Sequence, residues 1–265
     1  MNTLRAQVAY PILRHYLREA QAIAEEEMHA DVLLEGQDHL GFMALCFTYK
    51  QLVHARSVAL LLDSSQHIDA ATIARTMLEG LILVAWSALQ PDERPLRWRA
   101  FSLVSDWKTL LAEESMGRPI PLGYRDELTK RLEEFDEFLK SGARKQGTAL
   151  FADPYQSSWR VDAKGSKVEL ADMVSALGDP GLKTLYDDLS QISHWTPRGV
   201  AINIGTAEDR TLINFSSANL AAMSCGSAFQ SLTQTVLLLS QHRYGKQLQS
   251  MQNLVDAYVA RFNDS

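Results

Sequence analysis

Residues 70–89, AATIARTMLEGLILVAWSAL, form a helical stretch with hardly any polar face. A surface helix shows an apolar stripe backed by polar residues, so this one is expected to be surrounded by protein. It is long enough to cross a bilayer, which takes ~20 apolar residues. However, Arg75 and Glu79 near its middle are costly in lipid, and basic flanks are missing. The stretch therefore reads as a buried helix in a helical bundle, with no membrane partner.

Arg75 and Glu79 stand four residues apart, so their side chains can meet. A buried charge needs a partner. The pair is either a structural ion pair or an arginine presented to a phosphate or carboxylate, with Glu79 orienting it. Arg56 falls on the apolar stripe of the preceding helix, where it is expected to point inward and share Glu79. On that reading Glu79→Ala strands buried charge and destabilises by roughly 3–5 kcal/mol.

A second helix opens at Asp179-Pro180, a capping residue followed by proline at the first helical position. It ends before Pro197 and Gly199. Leu182, Leu185, Leu189 and Ile192 form its stripe, and Tyr186, Ser190 and His194 run beside it at four-residue steps. Three hydrogen-bonding side chains at the margin of a core point to a cleft or a buried polar network. The expectation is that this helix faces the central one.

The segments Arg75-Thr-Met-Leu-Glu79 and Tyr186-Asp-Asp-Leu-Ser190-Gln-Ile-Ser-His194 resemble those of a bacterial family of helical domains of unknown function. The resemblance covers roughly residues 40 to 200. The layout is also similar to HEPN helical bundles, many of which are metal-independent ribonucleases with an Arg-x(4–6)-His motif on one helix. This chain departs from that pattern, because Arg75 and His194 lie on different helices. If the cleft cleaves RNA, His194 is the expected general acid or base and Arg75 the group stabilising charge on the phosphorane. Glu79 then orients Arg75, and Tyr186, Ser190 and Arg56 bind the ligand.

The composition is that of a globular protein, with 46% hydrophobic and 22% charged residues over 265 positions. A net charge of −6 argues against broad nonspecific nucleic-acid binding. Cys46 and Cys225 lie in apolar helical stretches and read as core residues of a reducing compartment. The N-terminal MNTLRAQVAY has no apolar signal core, so a cytoplasmic location is expected. One Glu-x-x-His pair, Glu26 and His29, falls short of a di-iron set. Zinc spacing, phosphate loop, nucleophile elbow and dinucleotide fingerprint are all missing, so no cofactor or metal is expected.

Residues 3–29 read as an amphipathic helix with Leu4, Val8, Ile12 and Leu13 inward. The next helix, capped by Asp38, shows a face of Phe42, Leu45, Tyr49, Leu52 and Leu60, and turns at Ser64-Ser65 into an antiparallel neighbour. Trp98 to Leu111 keep helical spacing, with Trp98 packed between the solvated Arg97 and Arg99, and residues 123–140 form a charged helix. Residues 141–167 show no period and form an irregular insertion or lid. Alternation at Val200–Ile204 and Thr211–Phe215 about a turn at 205–209 indicates a β-hairpin. A long helix capped by Ser217 and a final helix over 246–262 complete the chain.

The expected fold is all-α: one helical domain over 1–265 with about eight or nine helices and one small β-hairpin near residues 200–215. Function divides between two readings. In the first, a HEPN-like polar cleft binds or cleaves a phosphate-bearing ligand, RNA included, with a homodimer as a candidate assembly. In the second, the protein is a non-catalytic interaction module whose Arg/Glu/His network holds helices together. The residues leave open whether the chain is an enzyme.

Overall fold

The computed structural model describes residues 3–29, 37–135, 139, 158–162, 165–193, 204–207, 210–213, 217–245 and 248–263. Among them the protein is almost entirely helical. The helices are α1 (Thr3–His29), α2 (His39–Asp63), α3 (His67–Ala88), α4 (Arg94–Ser115), α5 (Tyr124–Glu133), α6 (Leu170–Leu177), α7 (Pro180–Ser193), α8 (Ala218–Tyr244) and α9 (Gln249–Asn263). Strands β1 (Ile204–Ala207) and β2 (Arg210–Ile213) pair antiparallel between α7 and α8, with Ile204 opposite Ile213 and Ala207 opposite Arg210. Gly205 to Ala207 thus belong to a strand, where alternation alone assigns them to the turn.

The chain divides into two compact units, residues 1–86 with 170–265, and residues 87–169. In the first, α8 packs along both α1 and α2. It is buried almost all round, including Leu220, Phe229, Leu232 and Val236, and also Ser224, Ser231, Thr233 and Thr235. Three of these four hydroxyls enter the core by returning to their own helix. Ser224 donates to the Leu220 carbonyl at 2.7 Å, Thr233 to Phe229 at 2.9 Å and Thr235 to Ser231 at 2.7 Å. The buried face of α1 is rich in alanine, with Ala6, Ala9, Ala20 and Ala24 beside Leu13 and Leu17. Val8, expected inside, is 64% exposed. Tyr16, Phe229, Tyr258 and Phe262 form a chain of ring contacts joining α1, α8 and α9, with centroids 4.6–5.9 Å apart.

The orientation of α2 is also corrected. Its buried face is Leu40, Met43, Ala44, Thr48, Gln51, Leu52, Ala55, Val58 and Leu62. Tyr49 and Leu60, expected inward, are 62% and 68% exposed. The helix has two stripes of comparable apolarity, and the buried one carries the smaller residues, which let helices approach closely. Asp38 caps α2 as expected, with its Oδ1 accepting the Gly41 N–H at 2.8 Å. Ser65, at φ 57°, makes the left-handed step into α3.

Gln51 of α2 meets the middle of α3, donating from Nε2 to the Met77 carbonyl at 2.8 Å. Gly80 makes room for it, since a Cβ there would lie 3.0 Å from Gln51 Nε2. α3 is buried through Ala74, Met77, Leu78, Leu81, Ile82, Val84 and Trp86. It is not enclosed all round, however, because Asp69, Thr72 and Thr76 form an exposed strip along its first half.

The second unit is built on α4 and α5. Its core is Ala100, Leu103, Val104, Leu110, Leu128, Leu132 and Leu139, with Phe101, Trp107, Ile120 and Phe135 against it. Arg97, read from sequence as solvated, is tucked in and bonds Glu93 at 2.6 Å. The proposed lid over 141–167 falls mostly outside the described residues. Its described end is a tight turn in which Val161 bridges Lys167.

Candidate functional site

Arg75 lies in the third turn of α3, beside the exposed Thr72–Thr76 strip. Its guanidinium reaches across to α7. The Nε–H donates to Ser190 Oγ at 3.2 Å, and Nη2 donates to the Tyr186 hydroxyl at 3.1 Å. The guanidinium carbon also stands 5.4 Å from the Tyr186 ring centroid, within reach of a cation–π contact. Nη1 faces Glu79 Oε2 at 3.5 Å, one helical turn along α3.

Local sequence explains why these groups meet. The four-residue step places Arg75 and Glu79 on one line of α3 and Tyr186 and Ser190 on one line of α7. The start of α7 is fixed by Asp179, whose Oδ1 accepts the Leu182 N–H at 3.0 Å. Leu182 and Leu189 anchor the helix in the core, which leaves Tyr186 and Ser190 at its margin.

The site sits at the edge of the core. The Arg75 side chain is 21% exposed and that of Glu79 35%. Among the described residues each guanidinium nitrogen has one protein partner, and each terminal nitrogen carries a second N–H. Fixed hydroxyls, an aromatic face and a partly exposed arginine side chain can together receive an oxyanion.

Arg56 is not part of this arrangement. It is 53% exposed and pairs with Glu25 of α1, Nε to Oε1 at 3.0 Å and Nη2 to Oε1 at 2.8 Å. The shared use of Glu79 by Arg56 and Arg75 is therefore overturned, because the rotation of α2 that buries Gln51 and Thr48 turns Arg56 outward. His194 lies outside the described residues.

Residues 41–211 match a family described as of unknown function, DUF5677. The match takes in well over half of the chain. This chain belongs to the DUF5677 family. The matched region includes Arg75, Glu79, Tyr186 and Ser190, so both helices of the site fall within the DUF5677 segment. No curated protein and no solved structure matches the chain.

Other polar groups of this DUF5677 chain escaped the sequence reading. The Ser217 N–H, at the head of α8, donates to His67 Nδ1 at 2.8 Å. Burial holds the His67 imidazole below its ordinary pKa. His242 Nε2 lies 2.7 Å from Asp38 Oδ1, the cap of α2. Both contacts join residues far apart in sequence, and no local pattern announces them. Gly80 beside Glu79 was the visible signal for the Gln51 contact.

An open depression of about 270 Å³ lies where α6 meets α7, lined by Val174, Ser175, Gly178, Asp179, Pro180 and Lys183. Its lining includes neither Arg75 nor Glu79. Among the described residues no group of three or more His, Cys, Asp or Glu is placed to hold a metal ion. No described helix is long and apolar enough to cross a membrane.

Proposed function

We infer that Arg75, Glu79, Tyr186 and Ser190 form the binding site of a HEPN-like helical protein for a phosphate-bearing ligand, RNA being the candidate polymer. The observation that carries this reading is the position of Arg75. It is held in place from a second helix by two hydroxyls and a ring, yet its side chain remains 21% exposed. A fork prepared in this way binds an oxyanion with little ordering cost. In the cleaving version, Arg75 stabilises charge developing on the phosphorane and His194 moves the proton of the 2′-hydroxyl. Glu79 orients Arg75 from one turn away.

A second reading draws on the same contacts. Every guanidinium nitrogen already has a protein partner, so the cluster also fits a clamp that joins two helices in a non-catalytic module.

Incubation of wild type and His194→Ala with a mixed-sequence RNA, in the presence of a chelator, tests the cleaving version. The expected result is cleavage by wild type, none by the variant, and equal melting temperatures. If wild type leaves the RNA intact and His194→Ala is markedly destabilised, His194 belongs to the scaffold and the ribonuclease reading is dropped.

A further inference from the structure

We propose that the Glu79 carboxylate holds the place of a ligand's anion at Arg75, and that the site exchanges it for a singly charged oxyanion in preference to a doubly charged one. This rests on the reading of Arg75 as a ligand site.

The three contacts of the guanidinium are unequal. Those to Ser190 and Tyr186, at 3.2 and 3.1 Å, come from the neighbouring helix and fix the arginine in place. The contact to Glu79, at 3.5 Å, is longer than the roughly 2.7–2.9 Å of a charge-assisted hydrogen bond. Glu79 is the most weakly held partner, it is 35% exposed, and it comes from the same helix as Arg75. A rotation of its flexible side chain frees Nη1 without disturbing α7. Ser190 and Tyr186 cannot leave so easily, because the helix carrying them is anchored by Leu182 and Leu189.

Charge selects the ligand. Arg75 with Glu79 is a neutral pair. An incoming monoanion restores one positive charge facing one negative charge, while the displaced carboxylate returns to water. A dianion leaves an excess negative charge beside Glu79, which remains one helical turn away. A phosphomonoester carries about −1.5 to −2 at neutral pH, whereas a phosphodiester or a carboxylate carries a single charge. The shared chemistry is a singly charged oxyanion from either source.

The test is an NMR titration of the full chain at pH 7.5 with a matched pair, uridine 3′-phosphate and its methyl ester, and with acetate as competitor. The methyl ester is expected to bind roughly two- to fivefold more tightly than the monoester, the range of an exposed ion pair. Glu79→Gln keeps the shape of the side chain and removes its charge. It is expected to tighten both ligands by roughly two- to fivefold, the monoester more, so that the preference shrinks. Acetate that competes assigns the site to carboxylates as well, and acetate that does not assigns it to the diester; both fit the proposal. A monoester that binds more tightly than its ester, or a Glu79→Gln variant that binds either ligand more weakly, overturns it and leaves the ligand site standing. Absence of binding by every probe to both proteins, at concentrations where a weak site saturates, removes the ligand site itself.

Discussion

Arg75 Nε donates to Ser190 Oγ at 3.2 Å, joining α3 to α7 across 115 residues of sequence. Ser190→Ala and Tyr186→Phe each remove one acceptor and are expected to lower stability by about 0.5–1.5 kcal/mol. In an Arg75→Ala background the same changes should cost almost nothing, because their partner is gone. Urea unfolding of the four proteins in each cycle measures this. Equal costs in both backgrounds would mean that the hydroxyls act elsewhere.

Glu79→Ala is expected to change stability by no more than about 1 kcal/mol, as for other partly exposed ion pairs. The larger figure that the sequence invites required Arg56 and Arg75 to share a buried carboxylate. Arg56 is instead exposed and paired with Glu25, so Glu25→Ala should also be mild and should not compound the effect of Glu79→Ala. A loss of several kcal/mol for Glu79→Ala, read from denaturant midpoints, would restore the buried network.

Stability should fall in mild acid. Burial lowers the His67 pKa in the folded state, and His54 is lowered by burial and then by Lys50. The unfolded chain then binds more protons than the folded one, so stability rises with pH through this range. The contribution is fully present above the ordinary histidine value of about 6.5 and is lost as pH falls through the lowered folded values. For His67 the cause is burial of the ring, which disfavours the charged imidazolium. Thermal melts from pH 7.5 to 5 should show the loss, and His67→Asn should flatten part of it. A melting temperature constant over that range would contradict the account.

Thiol chemistry offers an independent check on the core. Burial pushes the Cys225 thiol up to about 12, so it should resist alkylation in the native protein. Cys46 is less buried and should label first. Mass spectrometry after brief native labelling distinguishes the two, and preferential modification of Cys225 would contradict the burial of α8.

The legible and illegible parts of this fold separate by mechanism. Local signals read correctly include Asp38 and Ser217 as helix caps, Asp179 ahead of Pro180, and the Ser64-Ser65 turn. The Arg75 line and the Tyr186/Ser190 line do meet, because four-residue spacing holds within any helix. Which helix is most enclosed was misjudged. The central stretch lacks polar residues but keeps the Asp69, Thr72 and Thr76 strip outside. α8 looks more polar, yet it is buried nearly all round, and Ser224, Thr233, Thr235 and Ser240 satisfy their hydroxyls on carbonyls of their own helix. The face of α2 was missed for a related reason. Periodicity finds a stripe of large apolar residues, whereas close packing selected the one with Ala44, Thr48, Gln51 and Ala55.

The most direct measurement follows the Arg75 Nε–Hε resonance in a ¹⁵N-labelled protein while uridine 3′-methyl phosphate is added. Arg75 as a ligand site predicts a saturable shift of that resonance and of the Tyr186 ring signals, lost in Arg75→Lys, which keeps the charge but not the fork. An Arg75 signal that stays fixed at saturating ligand, with Ser190→Ala costing stability as above, would contradict the ligand site and leave Arg75 as a clamp between α3 and α7.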